Sequence, residues 1–205
     1  MGVLMPLVRR DPPGAPAAPS RPEASPADLR APEPERRLSA AQALAGRPGA
    51  AAALGAALGA ETAPRVREAL LCALIACGEE GAASLAAHLR AEEPALRNAC
   101  VEALQDMPSC VLPLLPGLLA DPDPDVRLLA TEVARTQPPE IATALLARLL
   151  EREAHPNVCG AAVEVLAESG TPDAAPALRI ARARFSALPF LPGAIDTVLA
   201  RLAAS

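Results

Sequence analysis

Asp123-Pro124-Asp125-Val126-Arg127 is the stretch whose reading decides the fold. Its proline is one of five, Pro34, Pro64, Pro94, Pro124 and Pro156, spaced 30, 30, 30 and 32 residues apart, and each opens a similar passage. Pro-x-(Val/Leu)-Arg recurs as Pro64-Arg65-Val66-Arg67, Pro94-Ala95-Leu96-Arg97 and Pro124-Asp125-Val126-Arg127. It survives in part at Pro34-Glu35-Arg36-Arg37 and Pro156-Asn157-Val158-Cys159. A fixed period of this size marks stacked repeats, in which each unit buries its apolar face only against its neighbours.

Each unit reads as two short helices. Asp123 is a natural N-cap, and Pro124 at the first helical position lacks only an N–H that has no partner there. Val126, Ala130, Val133 and Ala134 then fall at i, i+4, i+7 and i+8, one apolar stripe at the helical period. Pro138-Pro139 ends that helix, and Ile141, Leu145, Leu146 and Leu149 form the stripe of the next. Equivalent pairs are expected at 65–77 with 79–89, 95–107 with 110–119, and 157–169 with 173–181. Gly78 and Gly170 lie at one offset from their prolines, where left-handed C-caps are expected. Beyond residue 181 the register is lost. Ile195, Val198, Leu199 and Leu202 nevertheless space as one helical stripe, which predicts a capping helix, with Phe185, Leu188, Phe190 and Leu191 covering the apolar face of the last pair.

These residues resemble the HEAT-repeat family, in particular the short bacterial subtype similar to phycobilisome-lyase HEAT-like repeats, which carries an Asp-Pro-x-Val-Arg opening. The resemblance runs from Pro34 to about Ala181, and Asp123 to Arg127 match the opening residue for residue. The expected fold is all-α: a right-handed α-solenoid of about five HEAT-like helix pairs, with units near 34–61, 62–91, 92–121, 122–153 and 154–181 and a cap at 182–205. Arg36 stands where the first copy should be apolar, and Cys159 stands where the fifth should have arginine. Such departures suit terminal repeats.

Residues 1–33 differ from the rest, because Pro12, Pro13, Pro16, Pro19, Pro22, Pro26 and Pro32 interrupt any period. This composition predicts a disordered, partly polyproline II tail. Met1 to Val8 is apolar but has no basic start and no small-residue cleavage site after it, so a secretory signal is not expected. Gly2 is followed by Pro6 where a myristoylation motif has Ser or Thr. No apolar run is long enough to span a bilayer, and a cytoplasmic location is expected. The chain lacks lysine, tryptophan and tyrosine, so arginine carries its positive charge; the composition points to a GC-rich bacterial genome. Without lysine there is no Schiff-base nucleophile and no P-loop. The net charge of −5 argues against a nucleic-acid or membrane partner.

Several sets of side chains are candidate sites. Cys72, Cys77, Cys100, Cys110 and Cys159 are odd in number and lack Cys-x-x-Cys spacing, which fits small buried hydrophobes better than a metal site or a disulfide framework. Arg67, Arg97 and Arg127 hold one place in successive units; they form either an anion-binding ladder or ion pairs with Glu92, Glu93, Asp123 and Asp125 in the turns. Glu102, Glu132 and Glu164 make an acidic column with no histidine nearby in sequence, read as a solvated face. His155 reads as a helix cap. His88, Arg148, Arg179 and Arg182 project from the second helices or just beyond, and the HEAT resemblance implies that these helices line the concave face and meet a partner.

No catalytic, cofactor or metal site emerges, and the expected function is a non-enzymatic scaffold or adaptor that holds a protein or peptide on its concave face. The alternative is an assembly or modification factor resembling phycobilin lyase subunits, acting on a client protein. Two enzymatic relatives are not expected. Deoxyhypusine hydroxylases carry repeated His-Glu pairs, whereas His88 precedes Leu89 and His155 precedes Pro156; HEAT-like DNA glycosylases use an aromatic-lined basic groove, and this chain's aromatics are Phe185 and Phe190 alone.

Overall fold

The structure is a computed structural model and describes residues 25–204. Each repeat proline opens a helix: α1 (Pro34–Leu44), α3 (Pro64–Ala76), α5 (Pro94–Gln105), α8 (Pro124–Ala134) and α10 (Pro156–Ser169). The second helices are α2 (Ala51–Ala60), α4 (Glu79–Ala87), the pair α6 (Pro108–Val111) and α7 (Leu115–Leu118), α9 (Pro139–Leu150) and α11 (Ala175–Arg184), and α12 (Leu191–Ala203) follows. No strand occurs among the described residues. First helices pack on first helices, α1 on α3, α3 on α5, α5 on α8 and α8 on α10. A second layer joins α2, α4 and α6, and again α9 and α11. This is an α-solenoid.

The predicted stripes supply the core: Val126, Ala130, Val133 and Ala134 are fully buried, as are Leu146 and Leu149 across the layer boundary. At α8 the expected N-cap forms, with the Asp123 carboxylate accepting from the Asp125 N–H at 2.9 Å. Ala63, Glu33, Glu93 and His155 occupy the same position without a side-chain cap bond.

Several expectations are corrected. The tail, expected through residue 33, is not wholly unstructured: Pro26–Arg30 form a 310 turn closed by a Ser25–Asp28 capping box, with Leu29 buried. That turn packs on α1 and α2, so proline there starts a helical turn instead of preventing one. Residues 1–24 lie outside the described residues. The second helix expected at 110–119 is two single turns: Pro108 opens the first, and Pro113 and Pro116 lack the N–H groups that a helix continuing through them would need. Gly78 has the expected positive φ, 61°, but Gly170 is extended at φ −64° and ψ 147°. Gly170 is small for another reason: a Cβ there would meet the Leu166 carbonyl oxygen at 2.6 Å.

The capping helix forms, with Ile195, Val198 and Leu202 buried where α12 packs on α10 and α11. Its lead-in divides. Phe185 is buried, whereas Leu188 is exposed and Phe190 is 85% exposed, so neither of those two covers the terminal pair. Leu191, the fourth expected covering residue, is half-buried against the core, as is Leu199 of the α12 stripe.

Candidate partner-binding face

The arginine ladder resolves into a repeated clamp on the turns between units. Arg37, Arg67, Arg97 and Arg127 each donate to the carbonyl six residues upstream, Ala31, Glu61, Ala91 and Asp121, at 2.7–2.9 Å. Three of them also grip a carboxylate of the following turn through two bonds: Arg37 to Glu61 at 2.7 and 2.9 Å, Arg67 to Glu93 at 2.7 and 3.0 Å, and Arg127 to Glu153 at 2.8 and 2.9 Å. The pairing was legible, and Glu93 is an expected partner that forms, on Arg67; Asp123 instead caps its own helix and Glu92 offers Arg97 its carbonyl. Bidentate pairing occupies the fork that an anion would need. In the fifth unit Cys159 leaves the place empty, and Arg184 reaches back from the end of α11 to donate to the Leu150 and Glu153 carbonyls, both at 2.8 Å, and to that of Glu151. One guanidinium per turn is thus retained by a residue 25 positions away in sequence.

Glu61 and Glu153 are buried and serve both the clamp and the turn behind it. Glu61 Oε1 accepts from the Thr62 and Ala63 N–H groups, and Glu153 Oε1 from that of His155. At Glu61 the Arg37 hydrogen bond outweighs burial and holds the carboxyl below its usual range. At Glu153 burial pushes upward, but Arg127 together with the His155 and Ala154 N–H groups pushes further down. A carboxyl lowered in the folded state stabilises the fold above its unfolded value and loses that contribution as the pH falls through the folded one. The melting temperature is therefore expected to decline on acidification below about 4.5, the ordinary glutamate value, and the decline should flatten in Glu61→Gln and Glu153→Gln. Thermal melts across pH 3–7 that are equally steep in both variants would contradict this account.

The four predicted contact residues part company. His88 lies in a 310 turn after α4, half-buried, and its Nε2 donates to the Gly55 carbonyl at 2.9 Å. Gly55 and Gly59 leave room for Ser84 and His88: added Cβ atoms would approach Ser84 Oγ to 2.0 Å and His88 Cε1 to 3.0 Å. His88 therefore links the turn after α4 to α2. Arg182 donates to Asp196 through two bonds, one of 2.8 Å, and ties α11 to α12. Its fork is therefore occupied, although the pair is exposed. Arg148 on α9 and Arg179 on α11 are exposed, and their guanidinium groups bond to no described residue. Arg152 shares that state and was missed by sequence reasoning; its position four residues after Arg148 was the available signal.

The broken second helix of the third unit creates the groove these arginines border. Because α6 and α7 are single turns and α7 packs on α8, the second-helix layer is open between the third and fourth units. A cavity of about 220 Å³ occupies the opening, lined by Pro116, Leu119 and Ala120 on one wall and Leu145, Arg148 and Arg152 on the other. A second space of about 350 Å³ adjoins it through Leu119, Ala120 and Arg152 and ends at Asp121 and Glu153. Those two carboxylates are already held, by Arg90 and Arg127 respectively.

The burial expected of all five cysteines holds for two: Cys72 is exposed, and Cys77 and Cys110 are half-buried. Cys100 and Cys159 are buried, and loss of hydration pushes their thiols up to about 12 and about 11, well away from thiolate reactivity. Glu102 and Glu164 are exposed, but Glu132 is half-buried and pairs with Arg135 at 3.0 Å, which also reaches Glu168 in the next unit; the acidic column is not wholly solvated. His155 does not cap α10: its Nδ1 is buried without a partner. Among the described residues no three His, Cys, Asp or Glu side chains gather as a metal site, and no helix is long and apolar enough to cross a membrane.

Residues 111–184 match a family model described as HEAT repeats. The match covers the groove and the fourth and fifth units, and it supports the HEAT-repeat family for this α-solenoid without naming a subtype. No curated protein matches the chain.

Proposed function

We propose that the protein is a non-enzymatic scaffold that holds a protein partner on the face formed by its second helices. The observation that carries this reading is the open groove between the third and fourth units, an apolar trough bordered by guanidinium groups that no described residue neutralises. HEAT repeats are commonly protein-interaction scaffolds, and stacked helix pairs present an extended surface suited to that task. The clamp arginines and the buried Cys100 and Cys159 thiols are committed to the fold, whereas the second-helix groove combines an apolar floor with exposed guanidinium groups. A photo-crosslinking residue placed at Ala144 or Arg179, both exposed on second helices, should yield partner adducts in the native host. The same residue at Glu102 or Glu164 on first helices should yield none. Adducts confined to the first-helix positions would sink the proposal.

A further inference from the structure

From the groove between α7 and α9 we infer a partner chemistry: the site takes an acidic peptide segment in which an aliphatic side chain is flanked by carboxylates. The inference rests on the scaffold reading and adds what the partner must carry. The trough floor is Pro116, Leu119, Ala120 and Leu145, and a space of about 220 Å³ accommodates one or two aliphatic side chains, not a folded domain. Burying such a side chain there supplies the non-directional part of the affinity.

Charge supplies the direction. Arg148 in the last turn of α9 and Arg152, two residues beyond its end, both line the trough, and neither guanidinium bonds to a described residue. Glu151, between them in sequence, lines neither space. The carboxylates that do border the adjoining space, Asp121 and Glu153, are held by Arg90 and Arg127, so they do not neutralise Arg148 or Arg152. Two unpaired forks beside an apolar trough, on a chain of net charge −5, form a local exception to the overall charge and complement carboxylates spaced to either side of a buried aliphatic residue. A nucleic acid would want a longer basic track and stacking rings, and the trough has no aromatic lining.

The test is selection of a displayed random dodecapeptide library against the full chain, followed by fluorescence anisotropy of the selected peptides. Selected sequences are expected to place Asp or Glu on both sides of Leu, Ile or Val, and binding should weaken with added salt. Arg148→Glu and Arg152→Glu should each weaken it by about tenfold, and Leu145→Asp similarly, with Arg182→Glu as a control outside the trough. Both arginines are exposed, so melting temperatures of those two variants should match the wild type. A neutral or basic consensus, no selected peptide, affinities indifferent to both arginines, or tighter binding of an oligothymidylate at the same residues would each overturn the inference. If crosslinking from Ala144 and Arg179 persists in the arginine variants, the partner chemistry fails while the scaffold reading stands.

Discussion

Removal of residues 186–205 is expected to convert the protein into a species that aggregates or loses the fold of its last helix pair. α12 brings Ile195, Val198 and Leu202 to 0–3% exposure against α10 and α11, and burial of each such side chain contributes about 1.5–3 kcal/mol. The same helix supplies Arg201, which donates to the Leu166 and Gly170 carbonyls at 2.7 and 2.9 Å and so ties α12 to the end of α10, where Leu166 also accepts from the Gly170 N–H. The truncation keeps Arg184 and Phe185, so the clamp of the fifth unit is not the cause of the effect. The two phenylalanines provide the internal contrast: Phe185→Ala should cost about 3 kcal/mol, while Phe190→Ala should fall within about 0.5 kcal/mol of wild type because its ring is already in water. Urea titration with size-exclusion chromatography reads all three. A monomeric truncation with an unchanged midpoint would show that α12 is not a cap.

The second large effect is expected from one methyl group. Gly81 on α4 is buried so close to α3 that a Cβ would sit 1.8 Å from the Leu74 carbonyl oxygen and 2.8 Å from its carbon. These are backbone atoms of a neighbouring helix, and no rotamer change can relieve the overlap; α4 must move away. Gly81→Ala should therefore cost about 3 kcal/mol, the upper end of ordinary overpacking. Gly160 in α10 is the opposite case, since its Cβ would meet nothing within 4 Å. Gly160→Ala should stabilise by about 0.5–1 kcal/mol by removing backbone freedom from the unfolded chain. Equal midpoints for the two variants in chemical denaturation would show that the α3–α4 approach is not as close as described.

How much of this was legible depended on whether the cause was local. Val126 and Ala130 announced their burial by spacing, and Pro124 announced a helix start, because helical periodicity and the missing proline N–H act within one unit. The pairing of the clamp arginines was also foreseeable, since a charge near a buried turn needs a partner. Apart from Glu93 on Arg67, the choice of partner was not. Glu153 lies 26 residues from Arg127, and Arg184 lies 25 from the Cys159 place it serves, so both depend on how units stack.

The groove shows the same division. Apolar spacing alone makes the stripe through 110–119 look like one helix, whereas Pro113 and Pro116 within it carry the signal for a break. That the shortened turns leave a space, and that Arg148 and Arg152 line it while Arg182 is consumed by Asp196, follows from packing between units. By itself the sequence determined the repeat period, the helix starts and the apolar stripes, because hard sterics and burial act over a few residues. Which arginines bind the fold and which remain open to a partner was decided only by the tertiary structure, because an ion pair forms where stacking brings a carboxylate within reach.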